Sequence, residues 1–282
     1  MEAKGSEWWS GETVAVVTGG NRGIGLEVCR QLADKGLTVI MTARQPQEQL
    51  SVPAQQFLQE AAEAKRKNVI FHTLDITQQQ SVLDFVDWLK LRVGLVDILS
   101  NFDYGGGTRE SYESAKECID TNYYGTVKLT EALLPFLRLS PHNARIVMVS
   151  SIAGLLCYVR DEGLRKQLSE TEGLTEQKID GVLNLFLEDL KSEKAMEKWP
   201  LKLPAYSISK ASLNAYGRLL ALQLNGVAYV NSVHPGAVKT NMTDSTGNLS
   251  PIEGAENVVR VALFSVDGPS GHNFMECEDS QF

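Results

Sequence analysis

Short runs of apolar, mostly β-branched residues recur along the chain, separated by longer stretches in which apolar residues return every three or four positions. The runs lie at Val14 to Val17, Thr38 to Met41, Val69 to Phe71, Val96 to Leu99, Ile146 to Val149 and Val227 to Val233, with a weaker one at Asn273 to Met275. Runs that are apolar on both faces predict strands buried from both sides, and the helical spacing between them supplies the covering layers. The predicted fold class is therefore α/β, a doubly wound parallel sheet. No Ser- or Pro-rich linker and no internal repeat divides the chain, so one domain is expected over residues 13–282, after a polar segment 1–12 whose apolar pair is Trp8 and Trp9. The alternation breaks once. Between Ser151 and Tyr206 the chain is mostly charged, and residues 155–203 read as a helical excursion, with Thr175 as a cap and Ile179, Val182, Leu183, Phe186 and Leu190 on one helix face. That helix is expected to lie on the body, as a cover or as a wall of a site.

Composition narrows the partners. The chain has 282 residues, 43% of them hydrophobic and 22% charged, enough for a sizeable core and too apolar for disorder. Its net charge of −8 leaves no basic field for a nucleic-acid backbone or an anionic membrane, so the expected partner is a small molecule. Cys29, Cys118, Cys157 and Cys277 show no paired spacing and are read as buried free thiols in a reducing compartment. His72, His142, His234 and His272 share no ligand spacing, so no metal site is expected. Neither a secretory signal nor a transit peptide is visible in the first dozen residues, and no apolar run reaches membrane-span length, which makes the cytosol the expected location.

Two motifs carry chemistry. The first is Thr18-Gly-Gly-Asn-Arg-Gly-Ile-Gly25, set between the first strand and the first helix. Glycines at 19, 20, 23 and 25 permit positive backbone angles and let main-chain amides approach a pyrophosphate at the helix N-terminus. After the second strand, where an NAD site presents a carboxylate to the ribose, stands Ala43-Arg44. Arg44 and Arg22 can supply two guanidinium groups to a 2′-phosphate, so NADP(H) is the expected cofactor. The second motif is Tyr206-Ser-Ile-Ser-Lys210. On a helix this spacing puts phenol and ammonium on one face, where the positive charge favours phenolate and suits the tyrosine to proton transfer near neutral pH. Ser150 and Ser151 close a buried strand at its carboxyl end, Asn122 is a poor helix former in a helical stretch, and Pro235-Gly236 marks a turn at the same sheet edge.

With these residues in place the chain resembles the short-chain dehydrogenase/reductase family over nearly its whole length. The resemblance rests on the glycine turn, Leu74-Asp75, Asn122, Val149-Ser-Ser151, Tyr206 to Lys210 and Val233-His-Pro-Gly-Ala-Val-Lys-Thr240, in the expected order. The excursion, Glu117 to Gly125, Lys198-Trp-Pro200 and Gly268-Pro-Ser-Gly271 are similar to the monomeric carbonyl reductases and to the plant branch of menthone, neomenthol and salutaridine reductases. The resemblance implies a Rossmann-type fold, a monomer, and a catalytic set of Asn122, Ser151, Tyr206 and Lys210. Tyr206 would protonate a carbonyl oxygen that Ser151 also holds. Lys210 would lower the tyrosine pKa and bond the nicotinamide ribose, and Asn122 would position a water linking the lysine to solvent. The implied cofactor residues are Gly19, Asn21, Arg22, Gly23, Ile24, Gly25, Arg44, Leu74, Asp75 (to the adenine amine), Asn101, Tyr206 and Lys210. Pro235, Gly236, Val238 and Thr240 would cradle the carboxamide.

The chain departs from the family after the fourth strand, where Asn101-Phe-Asp-Tyr104 replaces Asn-Asn-Ala-Gly, and a shifted turn through Gly105 to Gly107 is expected to restore a permissive backbone. The connection to Asn122 is also short for the plant branch, which predicts a more open pocket. The reading is an NADPH-dependent reductase of a mostly apolar ketone or aldehyde, reversible in principle, with substrate contacts from Leu155 to Val159 and Met242 to Asn248. An enone reductase, a non-redox cyclase or isomerase on the same fold, or a nucleotide-binding protein without turnover are the alternatives. Within the plant branch isopiperitenone reductase reduces a conjugated double bond and lacks the tyrosine, whereas Tyr206 is present here.

Overall fold

Among the described residues eight strands, numbered in chain order with the ranges given below, form one sheet in the order β3-β2-β1-β4-β5-β6-β7-β8. The computed structural model describes residues 7–102, 111–192, 196–240, 245–276 and 278–280. Strands β1 (Val14–Val17), β2 (Thr38–Ala43), β3 (Val69–Thr73), β4 (Ile98–Asn101), β5 (Ala144–Val149), β6 (Ala228–His234) and β7 (Asn273–Met275) run parallel. A last strand, β8 (Glu278–Ser280), pairs antiparallel with β7. Too short and polar for the apolar-run criterion, β8 was not expected from the sequence. The fourth strand lies two residues further along than predicted: Val96 is buried ahead of it, and Asn101 is its last residue.

Helices cover both faces because each strand points alternate residues to opposite sides. In β1, Val14 and Val16 join one apolar cluster while Ala15 and Val17 join the other. One layer holds α1 (Gly23–Asp34), α2 (Val52–Glu63) and α9 (Pro251–Ala262). The other holds α3 (Gln79–Arg92), α4 (Tyr112–Ile119), α5 (Thr126–Leu137) and α8 (Pro204–Gln223). Within the excursion, α6 (Glu162–Ser169) and α7 (Glu176–Ser192) lie on the second layer. The Thr175 hydroxyl accepts from the Lys178 amide at 3.3 Å, as its predicted capping role requires. Ile179, Val182, Leu183 and Phe186 are buried and Leu190 is partly buried.

The polar segment before residue 13 packs on the body: Trp8 donates its indole N–H to the Phe264 carbonyl at 2.9 Å and lies 3.9 Å over the guanidinium of buried Arg145. Tyr229 covers the other side at 4.7 Å, and the guanidinium donates to the carbonyls of His142, Asn143, Phe264 and Ser265. A planar cation between two rings is a stable arrangement only where such donors find acceptors, which a polar-tail reading of residues 7–12 does not anticipate. Burial lowers the Arg145 pKa to about 10, still charged at neutral pH. Cys157 is exposed rather than buried, because it sits in a short 3₁₀ turn, whereas Cys29 and Cys118 are buried. Cys277 lies outside the described residues.

Candidate active site

The carboxyl ends of β1, β4, β5 and β6 converge on one edge of the sheet, and the predicted residues gather there. Gly19 and Gly23 adopt positive φ angles of 57° and 54°. A Cβ on Gly25 would stand 2.5 Å from the Gly19 carbonyl oxygen, and one on Gly19 would stand 2.5 Å from the Phe102 carbonyl oxygen. The turn is thus packed backbone on backbone, leaving main-chain amides at the N-terminus of α1. Asn21 is tied from both directions: its carbonyl accepts from the hydroxyl of Ser51, the N-cap of α2, and its amide nitrogen donates to Gln45 at 3.4 Å. Arg22 and Arg44 are both exposed at the rim, and Ile24 packs against the apolar cluster on the α1 side. On the next edge Leu74 is buried, and Asp75 Oδ1 accepts from the Thr77 amide at 3.0 Å and its hydroxyl at 2.7 Å.

The replaced loop after β4 is partly accommodated. Thr18 Oγ1 accepts from the Phe102 amide at 2.8 Å and donates to its carbonyl at 3.3 Å, while the Phe102 ring packs on the apolar cluster beneath the turn. Asn101 is 1% exposed; its amide nitrogen reaches Met148 Sδ at 3.5 Å and its Oδ1 has no hydrogen-bond partner among the described residues. Asp103, Tyr104 and Gly105 to Gly107 lie outside the described residues.

Lys210 is 2% exposed, and its ammonium donates to the Val149 carbonyl at 2.9 Å, two residues before Ser151. The same nitrogen lies 5.9 Å from the centre of the Tyr206 ring, so tyrosine and lysine share one face of α8 as their spacing predicts. The Ser151 hydroxyl accepts from the Ala153 amide at 3.2 Å and caps a 3₁₀ turn that packs on α8. Gly154 in that turn allows this approach, because a Cβ there would meet the Lys210 main chain at 2.9 Å. Asn122 is fully buried in a π-helical turn, Asp120–Gly125, rather than on an α-helix. Its amide donates to Ser209 Oγ at 3.0 Å, and Ser209 donates to the Tyr206 carbonyl at 2.8 Å. Asparagine and tyrosine are thereby joined through a residue the sequence reading passed over.

The segment from Pro235 to Thr240 closes the far side. Gly236 has φ 98°, the Pro235 carbonyl accepts from Asn257 of α9 at 3.1 Å, and Val238 pairs with Leu249. A Cβ on Gly23 would stand 3.6 Å from a Thr240 methyl, so this segment abuts the glycine turn. Gly247 and Gly254 admit the close packing, since a Cβ at either would meet main-chain or Val238 atoms at 2.3 and 2.5 Å. Asn257 and Gly254 lie on α9, away from any motif, and carried no signal, whereas Gly247 falls within the Met242 to Asn248 stretch read as a substrate contact and packs on main chain instead. Burial lowers the His234 pKa to about 4, so no positive charge stands beside Pro235 at neutral pH. Of the expected substrate contacts, Leu156 and Val159 are instead core residues, because the 3₁₀ turn points them inward. Met242 to Asp244 lie outside the described residues. Ile152, Tyr158, Leu201 and Leu203 are the large apolar side chains exposed on this stretch and just before α8.

A model of the short chain dehydrogenase family matches residues 13–160. Short-chain dehydrogenase/reductase 1 of Saponaria officinalis is 38% identical over 305 residues, which span 99% of each chain. The (+)-neomenthol dehydrogenase of Arabidopsis thaliana is 40% identical over 292 residues, covering 95% of this chain and 97% of that protein. Among solved structures, salutaridine reductase from Papaver somniferum superposes with a TM-score of 0.84 at 38% identity, covering 93% of this chain and 99% of that one. The chain belongs to the short-chain dehydrogenase/reductase family of oxidoreductases.

Proposed function

We propose that the protein is an NADPH-dependent reductase of mostly apolar ketones or aldehydes, with Asn122, Ser151, Tyr206 and Lys210 as its catalytic set. The observation that carries this reading is the buried Lys210 ammonium, held by the Val149 carbonyl and sharing the face of α8 with Tyr206. NADPH, held by the glycine turn and Arg22 and Arg44, would supply the hydride for the carbonyl carbon when bound. The Tyr206 phenol gives its proton to the substrate oxygen, and Ser151 donates a hydrogen bond to that same oxygen. Lys210 favours the phenolate left behind, and Asn122 lies on the path by which a proton returns. The reverse alcohol oxidation uses the same groups, as the name of the neomenthol dehydrogenase suits.

The cofactor fits the residues present. The glycine cradle excludes side chains where a pyrophosphate would lie, and the unpartnered Asn101 Oδ1 faces no competing donor among the described residues. Arg22 and Arg44, exposed and outside every ion pair among the described residues, would hold a 2′-phosphate, with Asp75 at the adenine. Replacing both arginines by alanine is expected to weaken NADPH binding by about 100- to 10,000-fold while changing NADH binding little, since each charge-assisted contact contributes about 1.5–3 kcal/mol. Quenching of tryptophan fluorescence during titration checks this, and equal losses for both nucleotides would overturn the assignment. Turnover of a ketone panel with the wild-type protein then tests the reaction itself; tight NADPH binding without reduction of any ketone would overturn it.

An apolar substrate is supported by the exposed Ile152, Tyr158, Leu201 and Leu203. A monomer is what the family resemblance implies, and α7, packed on α4 and α8, is in keeping with it by covering a helical face. Elution from a sizing column at about the 31.0 kDa of one chain is expected, and a stable dimer or tetramer would count against it. No helix among the described residues is long and apolar enough to cross a membrane, in keeping with a cytosolic place of action.

A further inference from the structure

The carboxylate of Asp75 is aimed by a chain of contacts that ends on another helix. Residues 74–78 turn from β3 into α3, and Gln78, the N-cap of α3, makes no side-chain capping bond. The turn is held instead by its own side chains and by its neighbours. The Asp75 amide donates to Ser81 Oγ at 2.9 Å. Asp75 Oδ1 accepts from both the amide and the hydroxyl of Thr77, at 3.0 and 2.7 Å, which closes a local turn and occupies that oxygen. Oδ2 accepts no hydrogen bond among the described residues and is the oxygen left for an exocyclic amine.

Two contacts from the α5 side set where Thr77 stands. Buried Ile76 lies against Gly125 at the end of the π turn, where a Cβ would stand 2.7 Å from the isoleucine side chain. Three residues further on, the half-buried Lys128 of α5 donates from its ammonium to the Thr77 carbonyl at 2.9 Å. Lys128 enters no ion pair among the described residues, so its charge serves this bond. A charge-assisted hydrogen bond is about twice as strong as a neutral one, and here it fixes the main chain of the residue that orients Asp75. Lys128, Thr77, Gln78 and Arg44 line one cavity, so the chain of contacts ends beside the arginine proposed to hold the 2′-phosphate.

We propose that Lys128 is a positioning residue for the nucleotide: by holding Thr77 it points the free oxygen of Asp75 at the adenine amine, and so sets a preference for adenine over a base that lacks the amine. The inference rests on the placement of Asp75 at the adenine proposed above. It is tested by fluorescence titration with NADPH and with deamino-NADPH, in which hypoxanthine presents a carbonyl oxygen where adenine has its amine. The two share the 2′-phosphate, the pyrophosphate and the nicotinamide, so the ratio of their dissociation constants isolates the base. Wild type is expected to prefer NADPH. Asp75→Ala should weaken NADPH binding about 10- to 100-fold, the range of one hydrogen bond to a charged group, and bring the ratio close to one. Lys128→Met should weaken it about fivefold, because the contact is loosened rather than removed, and shift the ratio in the same direction. Lys128→Arg keeps a charged donor and should keep the wild-type ratio. The Asp75→Ala/Lys128→Met double variant should show the ratio of Asp75→Ala alone, as expected for two members of one chain of contacts. Should Lys128→Met not fold, Lys128→Gln, which keeps a polar head without the charge, is read by the same ratio. A wild-type ratio in the uncharged Lys128 variant, with or without a loss of overall affinity, beside a collapsed one in Asp75→Ala would overturn the inference and leave Asp75 at the adenine. No preference in the wild type, or a wild-type ratio in Asp75→Ala, would overturn that placement and the inference with it.

Discussion

Replacing Tyr206 by phenylalanine is expected to lower kcat for ketone reduction by about 1000-fold while leaving NADPH bound, because the change removes the proposed proton donor and keeps the ring. The ring remains, so the contact of Tyr206 with the apolar cluster under α8 is kept and folding stability should not change. No neighbour is built to substitute. The Ser151 hydroxyl is engaged at its turn, and its intrinsic acidity is far below a phenol's; the Lys210 ammonium is committed to the Val149 carbonyl. Single-turnover measurements with saturating NADPH would read the chemical step directly. A variant retaining a tenth or more of wild-type turnover would remove Tyr206 from the role of proton donor. The same variant separates the rival chemistry, since reduction of a conjugated carbon–carbon bond that survives Tyr206→Phe would favour an enone reductase.

Gly25→Ala is expected to destabilise the fold by about 1–3 kcal/mol and to abolish measurable NADPH binding. The added methyl would stand 2.5 Å from the Gly19 carbonyl oxygen and 3.0 Å from its carbon, both main chain, so no side chain can swing aside. Relief requires the turn to move off α1, and that motion withdraws the amides from the pyrophosphate position. Gly181→Ala on the exposed side of α7 is the matched control: no heavy atom lies within 4 Å of its added Cβ. There the helix gains by about 0.8–1 kcal/mol from the better propensity of alanine. Urea midpoints and nucleotide titration on both variants check the pair. Equal stability of Gly25→Ala and wild type would mean the turn is not packed as described.

The legibility of this protein differed between strands, motifs and contacts. Strands β1 and β7 fall where their apolar runs lie, and α7 carries the cap and the buried face its periodicity predicts, because burial on a sheet or a helix face repeats with a fixed local period. Tyr206 and Lys210 were equally readable, since a four-residue spacing on a helix is itself a distance in space. The polar strand β8 carried no such period, and Trp8 looked like part of a tail until Arg145, 137 positions later by sequence number, was seen beneath it. Ser209 between Asn122 and Tyr206, Gly154 against Lys210, and Asn257 on Pro235 were likewise invisible, each defined by a partner on another element. The sequence by itself thus determined the sheet, its covering helices and the shared helix face of Tyr206 and Lys210, all properties with a local repeat or motif. The tertiary structure alone decided the π turn around Asn122, the Ser209 contact that joins it to α8, and which glycines admit a neighbouring backbone, because each depends on which distant segments share a few ångströms of space.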